Sequence, residues 1–522
     1  MLRSFNRRVP RVALVLLLAT LVSVPSAGRG TAGASSAFSF TNFELAEVAL
    51  ESPVGTVCPP PPGTPTSMSP CKNGTFEPQI RADADGTFYV ASVSFNQPAN
   101  PVNPVTFAWK SSDNGRHYTS LPSPNRDPLV FGEGPGIAVA PERNEAGYYN
   151  LYVVTLENAD MDVSVSKDGG QTWTLNPLAA TLPNNDRPWI AASGANTVCI
   201  SYWNITTLNI VVNCSKDAGT TFTHVGSAID ADHAWLVRYN KIGNLVMNPA
   251  SGTIYQIFAG IADPSEVDID DQSTTGLSCS RPENTHQCHA VWIAVSTDLG
   301  QTFKDYLVYL NPDSIVSYGH QFPNVSIDRA GTLYAVFSDG FDIFYSWSSN
   351  QGQTWSTPAQ VNHAPSNTSL MPWSVAGDPG KLDIVWYGTP YTKTNADGSR
   401  VPADQYPDEA NWYVFFAQNR DATRGGSPFT HVQVSPTVHK GRICQGPAFN
   451  CPSDSRDLAD DLGVAASPTT GLASISYTSD QYTDDPSNPP NATCTQDRDN
   501  TSACVHTSVA TQLEGPGIFD AH

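Results

Sequence analysis

Residues of types found in catalytic sites recur in short segments. Each segment lies just before a stretch in which apolar and polar residues alternate. Residues 186–189 read DRPW and put Asp186 beside Arg187, and residues 317–323 read SYGHQFP and contain Tyr318 and His320. Glu133 precedes another such stretch. Paired carboxylates act as acid and as base or nucleophile in glycoside hydrolysis. We predict these five residues as catalytic, with Tyr318 as the candidate nucleophile.

Equivalent segments supply residues suited to holding a substrate. A tryptophan can stack on a sugar ring, and arginine pairs well with a carboxylate. The predicted substrate-binding residues are Glu77, Gln321, Trp373, Arg456 and Asp461. Structural roles stay open for several candidates: Asp186 can pair with Arg187, His320 can bond a neighbouring sheet, and Trp373 can lie in the core. No metal site is predicted among these residues.

The elements that must position these segments are hairpins. An extended stretch, a turn with glycine and an alternating apolar stretch recur, as in EPQIRADADGTFYVA (77–91) and QFPNVSIDRAGTLYAV (321–336). The turn glycines are Gly86, Gly147, Gly194, Gly252, Gly331, Gly380 and Gly471. A second hairpin follows the first, so each repeat unit has four strands. Both faces of this four-stranded sheet are buried only when the units stack on one another. We predict an all-β, seven-bladed β-propeller, with six blades as the alternative, and a ring-closing strand from residues 38–48.

A second repeat lies in the turn of that second hairpin. Residues 166–174 read SKDGGQTWT, and related segments occur at 111–118, 215–222, 296–303 and 348–355. The residues at the shared acidic position are Asp113, Asp168, Asp217, Asp298 and Asn350. A carboxylate there can accept hydrogen bonds from turn amides, and glycine supplies the left-handed conformation. Because five copies make no single active site and Asn350 has no charge, we predict a structural role.

This repeat resembles the Asp-box, or bacterial neuraminidase repeat, and the chain resembles the sialidase-like superfamily of secreted propellers over residues 75–512. The resemblance implies a propeller with its site on the axial face opposite these turns, and an exo-alpha-sialidase-like activity. Sialidases clamp the substrate carboxylate with arginines, the first from a Phe/Tyr-Arg-Ile-Pro motif. Counted from Gly86, that arginine's place holds Phe76, and Arg81 lies further along the strand. The chain therefore departs from sialidases at this motif.

Composition indicates a secreted protein. Residues 1–34 combine basic residues, an apolar run and small residues, which is typical of a signal peptide cleaved after Ala34. A Pro-rich extension at 35–73 precedes the propeller, predicted over 74–522 with insertions at 260–288 and 389–410. A net charge of −21 argues against nucleic acid or an anionic membrane as partner. We expect a secreted, extracellular monomer with no membrane span.

The ten cysteines fall into near pairs, and disulfides are the default in an oxidising compartment. The candidate pairs are Cys58–Cys71, Cys199–Cys214, Cys279–Cys288, Cys444–Cys451 and Cys494–Cys504. No cofactor is expected. The acidic residues Glu266, Asp268, Asp270 and Asp271 could supply oxygen ligands for Ca²⁺, although a solvated acidic loop is the simpler interpretation.

Two functions follow from these patterns. The first is a secreted sialidase-like glycoside hydrolase that acts on an extracellular glycan. The alternative is a non-catalytic propeller that binds a glycan, a glycoconjugate or a protein through its axial face and the two insertions. The absence of the first-blade arginine favours binding, or a substrate other than sialic acid.

Overall fold

Seven four-stranded antiparallel sheets form the fold, which is a seven-bladed β-propeller. The computed structural model describes residues 38–45, 75–93, 106–125, 132–157, 160–267, 279, 287–319, 322–445, 451, 455–460, 462–481 and 505–520. Each inner strand contacts the inner strands of the two neighbouring blades, and the seventh contacts the first, so the ring closes. The prediction of seven blades is confirmed, and the alternative of six is wrong.

Each blade is built outward from the propeller axis. The inner strands are β2 (Phe76–Ala82), β6 (Gly132–Arg143), β10 (Asn185–Ser193), β14 (Asn240–Met247), β18 (Asn324–Ile327), β22 (Thr368–Ala376) and β27 (Gly463–Ala466). The second strands are β3 (Phe88–Val93), β7 (Tyr149–Glu157), β11 (Thr197–Asn204), β15 (Ile254–Gly260), β19 (Leu333–Ser338), β23 (Leu382–Thr389) and β28 (Ala473–Ser479).

The third and outer strands complete the sheets. The third strands are β4 (Thr106–Ser111), β8 (Asp160–Ser166), β12 (Asn209–Ser215), β16 (Ala290–Ser296), β20 (Ile343–Ser348), β24 (Asn411–Asn419) and β29 (His506–Glu514). The outer strands are β5 (Thr119–Ser120), β9 (Thr174–Asn176), β13 (His224–Ser227), β17 (Lys304–Leu310), β21 (Ala359–Gln360), β25 (Thr430–Gln433) and, in blade seven, β1 (Ser39–Glu44). A further strand, β26 (His439–Lys440), pairs with β24.

The N-terminal strand β1 closes the ring, since it pairs antiparallel with β29 in the seventh sheet. An aromatic side chain of β1 also contacts blade six: the ring centroids of Phe40 and Phe416 are 5.2 Å apart. This position agrees with the strand predicted from residues 38–48. The end of the chain thereby protects the edge of blade seven, which would otherwise expose unpaired backbone groups.

Apolar residues of the alternating strands fill the space between neighbouring blades. Phe258, Phe337 and Phe415 are fully buried, and each buried ring contributes about 1.5–3 kcal/mol to the free energy of unfolding. Among the described residues, short 3-10 helices lie in connections at Ala231–Leu236, Pro264–Glu266 and Ala403–Gln405. In the described part of the chain, no helix has the length and apolar character needed to cross a membrane.

Three of the predicted disulfides are present. Cys199–Cys214 joins neighbouring strands of blade three, and Cys279–Cys288 and Cys444–Cys451 each close a short loop. These bridges are compatible with an extracellular protein. The predicted pairs Cys58–Cys71 and Cys494–Cys504 lie outside the described residues.

Strand direction separates the two ends of the propeller axis. Within a blade, neighbouring strands are antiparallel, so the third strand runs in the same direction as the inner strand. The repeated turn follows the third strand and therefore lies at the end of the axis where the inner strands finish. The segments that carry the predicted site residues lie at the other end, where the inner strands begin.

Candidate binding site on the propeller axis

A β-bulge near the beginning of the inner strand shapes the site. The register shifts at this point in β2, β6, β10, β14 and β22. In four of these strands the residue before a proline has a positive φ. These residues are Glu77 (52°), Gly134 (52°), Arg187 (51°) and Met371 (55°). A non-glycine residue seldom adopts this conformation, and strain of this kind concentrates where a side chain must be aimed.

The two bulge residues with charged side chains, Glu77 and Arg187, form a buried ion pair. Their side chains are 6% and 7% exposed, and Arg187 Nη1 lies 3.1 Å from Glu77 Oε2. Arg187 Nη2 donates to Glu77 Oε1 at 3.4 Å, so the contact is bidentate. The backbone N–H of Gly134 donates to Glu77 Oε2 at 2.9 Å. A Cβ at Gly134 would lie 2.8 Å from Arg187 Nη1, so glycine at this position leaves room for the guanidinium.

Asp460 extends the pair into a cluster. Its carboxylate lies 3.2 Å from Arg187 Nη2 and 2.5 Å from Arg456 Nη1. Lys241 completes the group, because its pKa responds to Asp460, Asp186 and both arginines. We call Glu77, Arg187, Lys241, Arg456 and Asp460 the axial cluster. It contains three cations and two carboxylates.

The two carboxyl groups of the axial cluster have opposite pKa shifts. Burial raises the pKa of Glu77 above its usual value, and Arg187 only partly opposes this effect. Burial would also raise the pKa of Asp460, but Arg456 and Arg187 together hold it well below its usual range. Burial lowers the pKa of Lys241. The different neighbours of Glu77 and Asp460 thus give two similar carboxyl groups different pKa values.

Lys241 is the cation of the axial cluster without a carboxylate contact. Among the described residues, no carboxylate oxygen lies within 4 Å of its Nζ, whereas Arg187 and Arg456 each make such a contact. Nζ of Lys241 lies 5.0 Å from the centroid of the Phe322 ring, and the side chain is half-buried. Lys241 is therefore the group best placed to meet an added anion.

An aromatic layer underlies the axial cluster. The guanidinium of Arg187 lies 4.2 Å from the centroid of Phe322, and Trp189 lies 5.3 Å from Phe322 and 5.2 Å from Trp373. Towards the far end of the axis, all seven inner strands line a cavity of about 290 Å³ that includes Trp373 and Arg81. Trp373 is 3% exposed, so in this structure its ring belongs to the core between the cluster and the cavity.

The structure brings together Glu77, Arg187 and Arg456 of the sequence-predicted residues, with Asp186 exposed at the rim. Tyr318 lies elsewhere: its hydroxyl accepts from Asn311, and its ring packs on Phe337. Burial raises the pKa of the Tyr318 hydroxyl above its ordinary range. The residues His320, Gln321 and Asp461, and the side chain of Glu133, lie outside the described residues.

Sequence analysis missed the roles of Lys241 and Gly134 in this site. The available signal was a residue followed by proline near the beginning of an inner strand, as at Glu77, Gly134, Arg187 and Met371. In β14 the register shift falls at Gly243 and Asn244, so Gly243 corresponds to Arg187 and Lys241 lies two residues before it. Aligning the bulges rather than the turn glycines would have found Gly134, whereas Lys241 lies before its bulge and pairs regularly with Ala259.

The repeated turns make the hydrogen bonds that their sequence suggests. Asp168 Oδ1 accepts from the backbone N–H groups of Gln171 and Thr172 at 3.0 and 2.9 Å, and Oδ2 accepts from the Thr172 hydroxyl. Burial alone would raise the pKa of Asp168, but these bonds, with that from Ser166, hold it below its usual value. Asn350 accepts the equivalent backbone bond from Thr354 at 3.0 Å.

The same geometry recurs in the other turns. In each turn the hydroxyl of the serine two residues earlier donates a hydrogen bond to Oδ1 of the residue at the shared position. These acceptors are Asp113, Asp168, Asp217, Asp298 and Asn350. The residue before the glycine also has a positive φ in each turn, including Ala218 and Leu299. Glycine supplies both left-handed positions in the turn of Gly169 and Gly170, and only the second in the other four turns.

The possible calcium loop is described at one residue. Glu266 Oε2 accepts from the backbone N–H of Ala262 at 2.8 Å and lies 3.0 Å from His289 Nε2. Asp268, Asp270 and Asp271 lie outside the described residues, so calcium binding there stays a prediction.

Comparisons with known proteins give similarity of fold only. No protein-family model and no curated protein matches the chain. Among solved structures, an alpha-L-arabinofuranosidase from Fusarium graminearum matches with 16% identity and a TM-score of 0.41, over 67% of this chain and 93% of that one. The Aleuria aurantia lectin matches with 11% identity and a TM-score of 0.39, over 72% and 97%.

A Hadza microbial sialidase matches with 13% identity and a TM-score of 0.39, over 74% of this chain and 66% of that one. These neighbours include both hydrolases and a lectin. At this identity and score, the likeness carries no argument about activity, and the fold stands on the chain's own strand pairing. The name given to the repeated turn also stays a prediction.

Proposed function

We propose that this chain is a secreted propeller whose axial face binds a carboxylate-bearing extracellular glycan. The observation that carries the proposal is the axial cluster, in which Lys241 has no carboxylate contact among the described residues. Arg456 lies beside it with 21% of its side chain exposed. A bound carboxylate would pair with Lys241, and an arginine beside a lysine suits such a ligand.

The charge of the whole chain strengthens this interpretation. The net charge is −21, so most of the surface repels anions. A local group of three cations on the axis therefore differs from its surroundings. Burying these charged groups costs desolvation free energy, which a role in ligand binding would explain. Binding without turnover is our first choice, because both described carboxylates of the cluster already contact arginine.

Glycoside hydrolysis is the second candidate, and the separated pKa values of Glu77 and Asp460 favour it. Glu77, with its raised pKa, would protonate the glycosidic oxygen, and ionised Asp460 would act as base or nucleophile. In this alternative Arg187 orients both carboxyl groups. The reaction would release a terminal sugar from an extracellular glycan.

Two variants test the binding proposal. Lys241→Gln removes the cation that has no carboxylate contact, and Lys304→Gln is the matched control, because Lys304 Nζ lies 5.5 Å over Tyr306 on the outer strand of blade four. We expect the wild type and Lys304→Gln to bind sialylated or uronate-bearing oligosaccharides on a glycan array and not their neutral analogues. Lys241→Gln should bind at least tenfold more weakly with an unchanged melting temperature.

Equal binding by both variants, or a preference for neutral glycans, would refute the proposal. The same glycans are then incubated with the protein, and released sugar is measured. Turnover that is lost in Glu77→Gln would establish the hydrolase alternative, and binding without release supports our first choice.

A further inference from the structure

A second group of charged side chains lies away from the axis, at the outer strand of blade four. Asp230 caps the 3-10 helix Ala231–Leu236 in the connection from blade three, and Asp305 is the second residue of β17. Each carboxylate accepts the other's backbone N–H at 2.9 Å. The reciprocal bonds bring two carboxylates side by side.

His233 joins the two carboxylates. Its Nδ1 lies 2.9 Å from Asp230 Oδ1 and 3.9 Å from Asp305 Oδ2. One potential ligand atom from each of the three residues lies within 4.8 Å of the others. In a tetrahedral site with metal–ligand bonds of about 2.1 Å, neighbouring ligand atoms are about 3.4 Å apart, so the observed distances bracket the required one.

One oxygen of Asp305 is left without a hydrogen bond. The side chain is 0% exposed, and its Oδ1 has no donor in the described part of the chain. There, the only ion pairs of Asp230 and Asp305 are those with His233. Leaving one oxygen of a buried carboxylate without a donor is costly.

We propose that Asp230, His233 and Asp305 bind one divalent transition-metal ion, Zn²⁺ or Mn²⁺, in this second site. One imidazole nitrogen with two carboxylate oxygens is a donor set that suits these ions. Nδ1 of His233 is the ligand atom, and its proton moves to Nε2, which makes no hydrogen bond among the described residues. The histidine is 27% exposed, so ions can reach the site and water can complete the coordination.

A second group of the same composition shows what a purely structural arrangement looks like. His439 Nδ1 lies 2.6 Å from Asp480, and its Nε2 lies 3.1 Å from the carbonyl oxygen of Arg442. Both ring nitrogens are engaged, so His439 has no free nitrogen to offer. The His233 group differs in its Nε2, which makes no hydrogen bond among the described residues.

Bound metal would tie the connection between blades three and four to the outer strand β17. Trp292 and Trp235 pack on His233, with ring centroids 5.1 and 6.0 Å away, and hold the imidazole in place. The ion would therefore stabilise the folded state rather than act on the axial ligand. The proposal is independent of the proposed glycan binding.

The test is calorimetric titration of the full chain, stripped with chelator, with Zn²⁺ and with Mn²⁺. We expect one ion per chain and a rise in melting temperature of about 3 °C at a hundredfold excess over Kd. Asp305→Asn keeps the size and one acceptor oxygen, so it should fold with an unchanged or higher melting temperature without metal. Its metal affinity should fall at least tenfold.

His233→Ala should also lose binding, and His224→Ala on β13 serves as the control histidine. An absence of binding to the wild type would overturn the proposal. So would unchanged affinity in both Asp305→Asn and His233→Ala, which would place any bound ion elsewhere, including the acidic loop near Glu266.

Discussion

Replacing Arg187 by methionine tests the electrostatic logic of the axial cluster. In the wild type, Glu77 accepts bonds from both terminal nitrogens of Arg187 and from the backbone N–H of Gly134. Arg187→Met leaves Glu77 with the single backbone donor in a buried place. Asp460 is less affected, because it keeps its contact with Arg456 at 2.5 Å.

The magnitude follows from this asymmetry. Breaking a buried pair and leaving one charge without its partner costs about 3–5 kcal/mol of unfolding free energy. Arg456→Met should cost less, about 1.5–3 kcal/mol, because Asp460 retains Arg187 and its side chain is 20% exposed. The double variant with Glu77→Gln should recover about 1–3 kcal/mol relative to Arg187→Met alone, since no unpaired charge remains.

The penalty should also depend on pH. Burial already raises the pKa of Glu77, and without Arg187 only the smaller effect of Arg456 opposes that rise. The folded variant then holds a proton that the unfolded chain releases, so its stability falls as pH rises above the usual value for glutamate. The destabilisation of Arg187→Met should therefore be larger near about pH 8 than near about pH 5.

Equilibrium unfolding in urea at the two pH values compares the wild type with Arg187→Met, Arg456→Met, Glu77→Gln and the double variant. A penalty for Arg187→Met that is equal at both pH values would refute the reasoning. Strict additivity of Arg187→Met and Glu77→Gln would refute it as well, because the two residues would then act independently.

Three further predictions concern other parts of the fold. Burial alone would lower the pKa of His439, but Asp480 raises it to about 8. The ion pair should therefore stabilise the fold fully below about pH 6.5 and lose its effect above about pH 8. Urea unfolding across that range should show His439→Gln destabilised at the lower pH and equal to the wild type at the higher pH. In the repeated turn, Asp168→Ala should lower stability by about 1 kcal/mol, whereas Asp168→Asn should cost less, which thermal melting can compare. Gly134→Ala and Gly147→Ala both force a left-handed alanine and should each cost about 1–2 kcal/mol, but only the first should weaken glycan binding on an array, because a Cβ at Gly147 has no atom within 4 Å.

The sequence indicated the blades well because their signals are local. A glycine turn between alternating stretches specifies a hairpin without reference to the rest of the chain, as at Gly86 and Gly331. Strand β1 was also predictable, since a closed ring needs an outer strand for its last blade. The bulges in the inner strands were not predicted, because a residue before proline gives no sign of its φ.

The site was predictable only in part. Glu77 and Arg187 are separated by more than a hundred residues, and only the closed ring brings them into contact. Tyr318 illustrates the opposite case: its sequence position resembled that of a site residue, but Asn311 and Phe337 take its hydroxyl and its ring. Such competition among side chains depends on packing between blades and has no local pattern.

Strand direction places the repeated turns and the proposed glycan site at opposite ends of the propeller axis. Asp168 and Asn350 make the same local bonds with different charge, so the turn end tolerates a change in chemistry that preserves an acceptor. The beginning of the inner strands has no such repetition: at the equivalent bulge position the chain carries glutamate, glycine, arginine and methionine. Because these bulge residues differ from blade to blade while the blades keep the same structure, the propeller can carry a single asymmetric site on its axis. Substitutions at Asp168 should therefore change stability and leave glycan affinity intact, and Lys241→Gln should do the reverse.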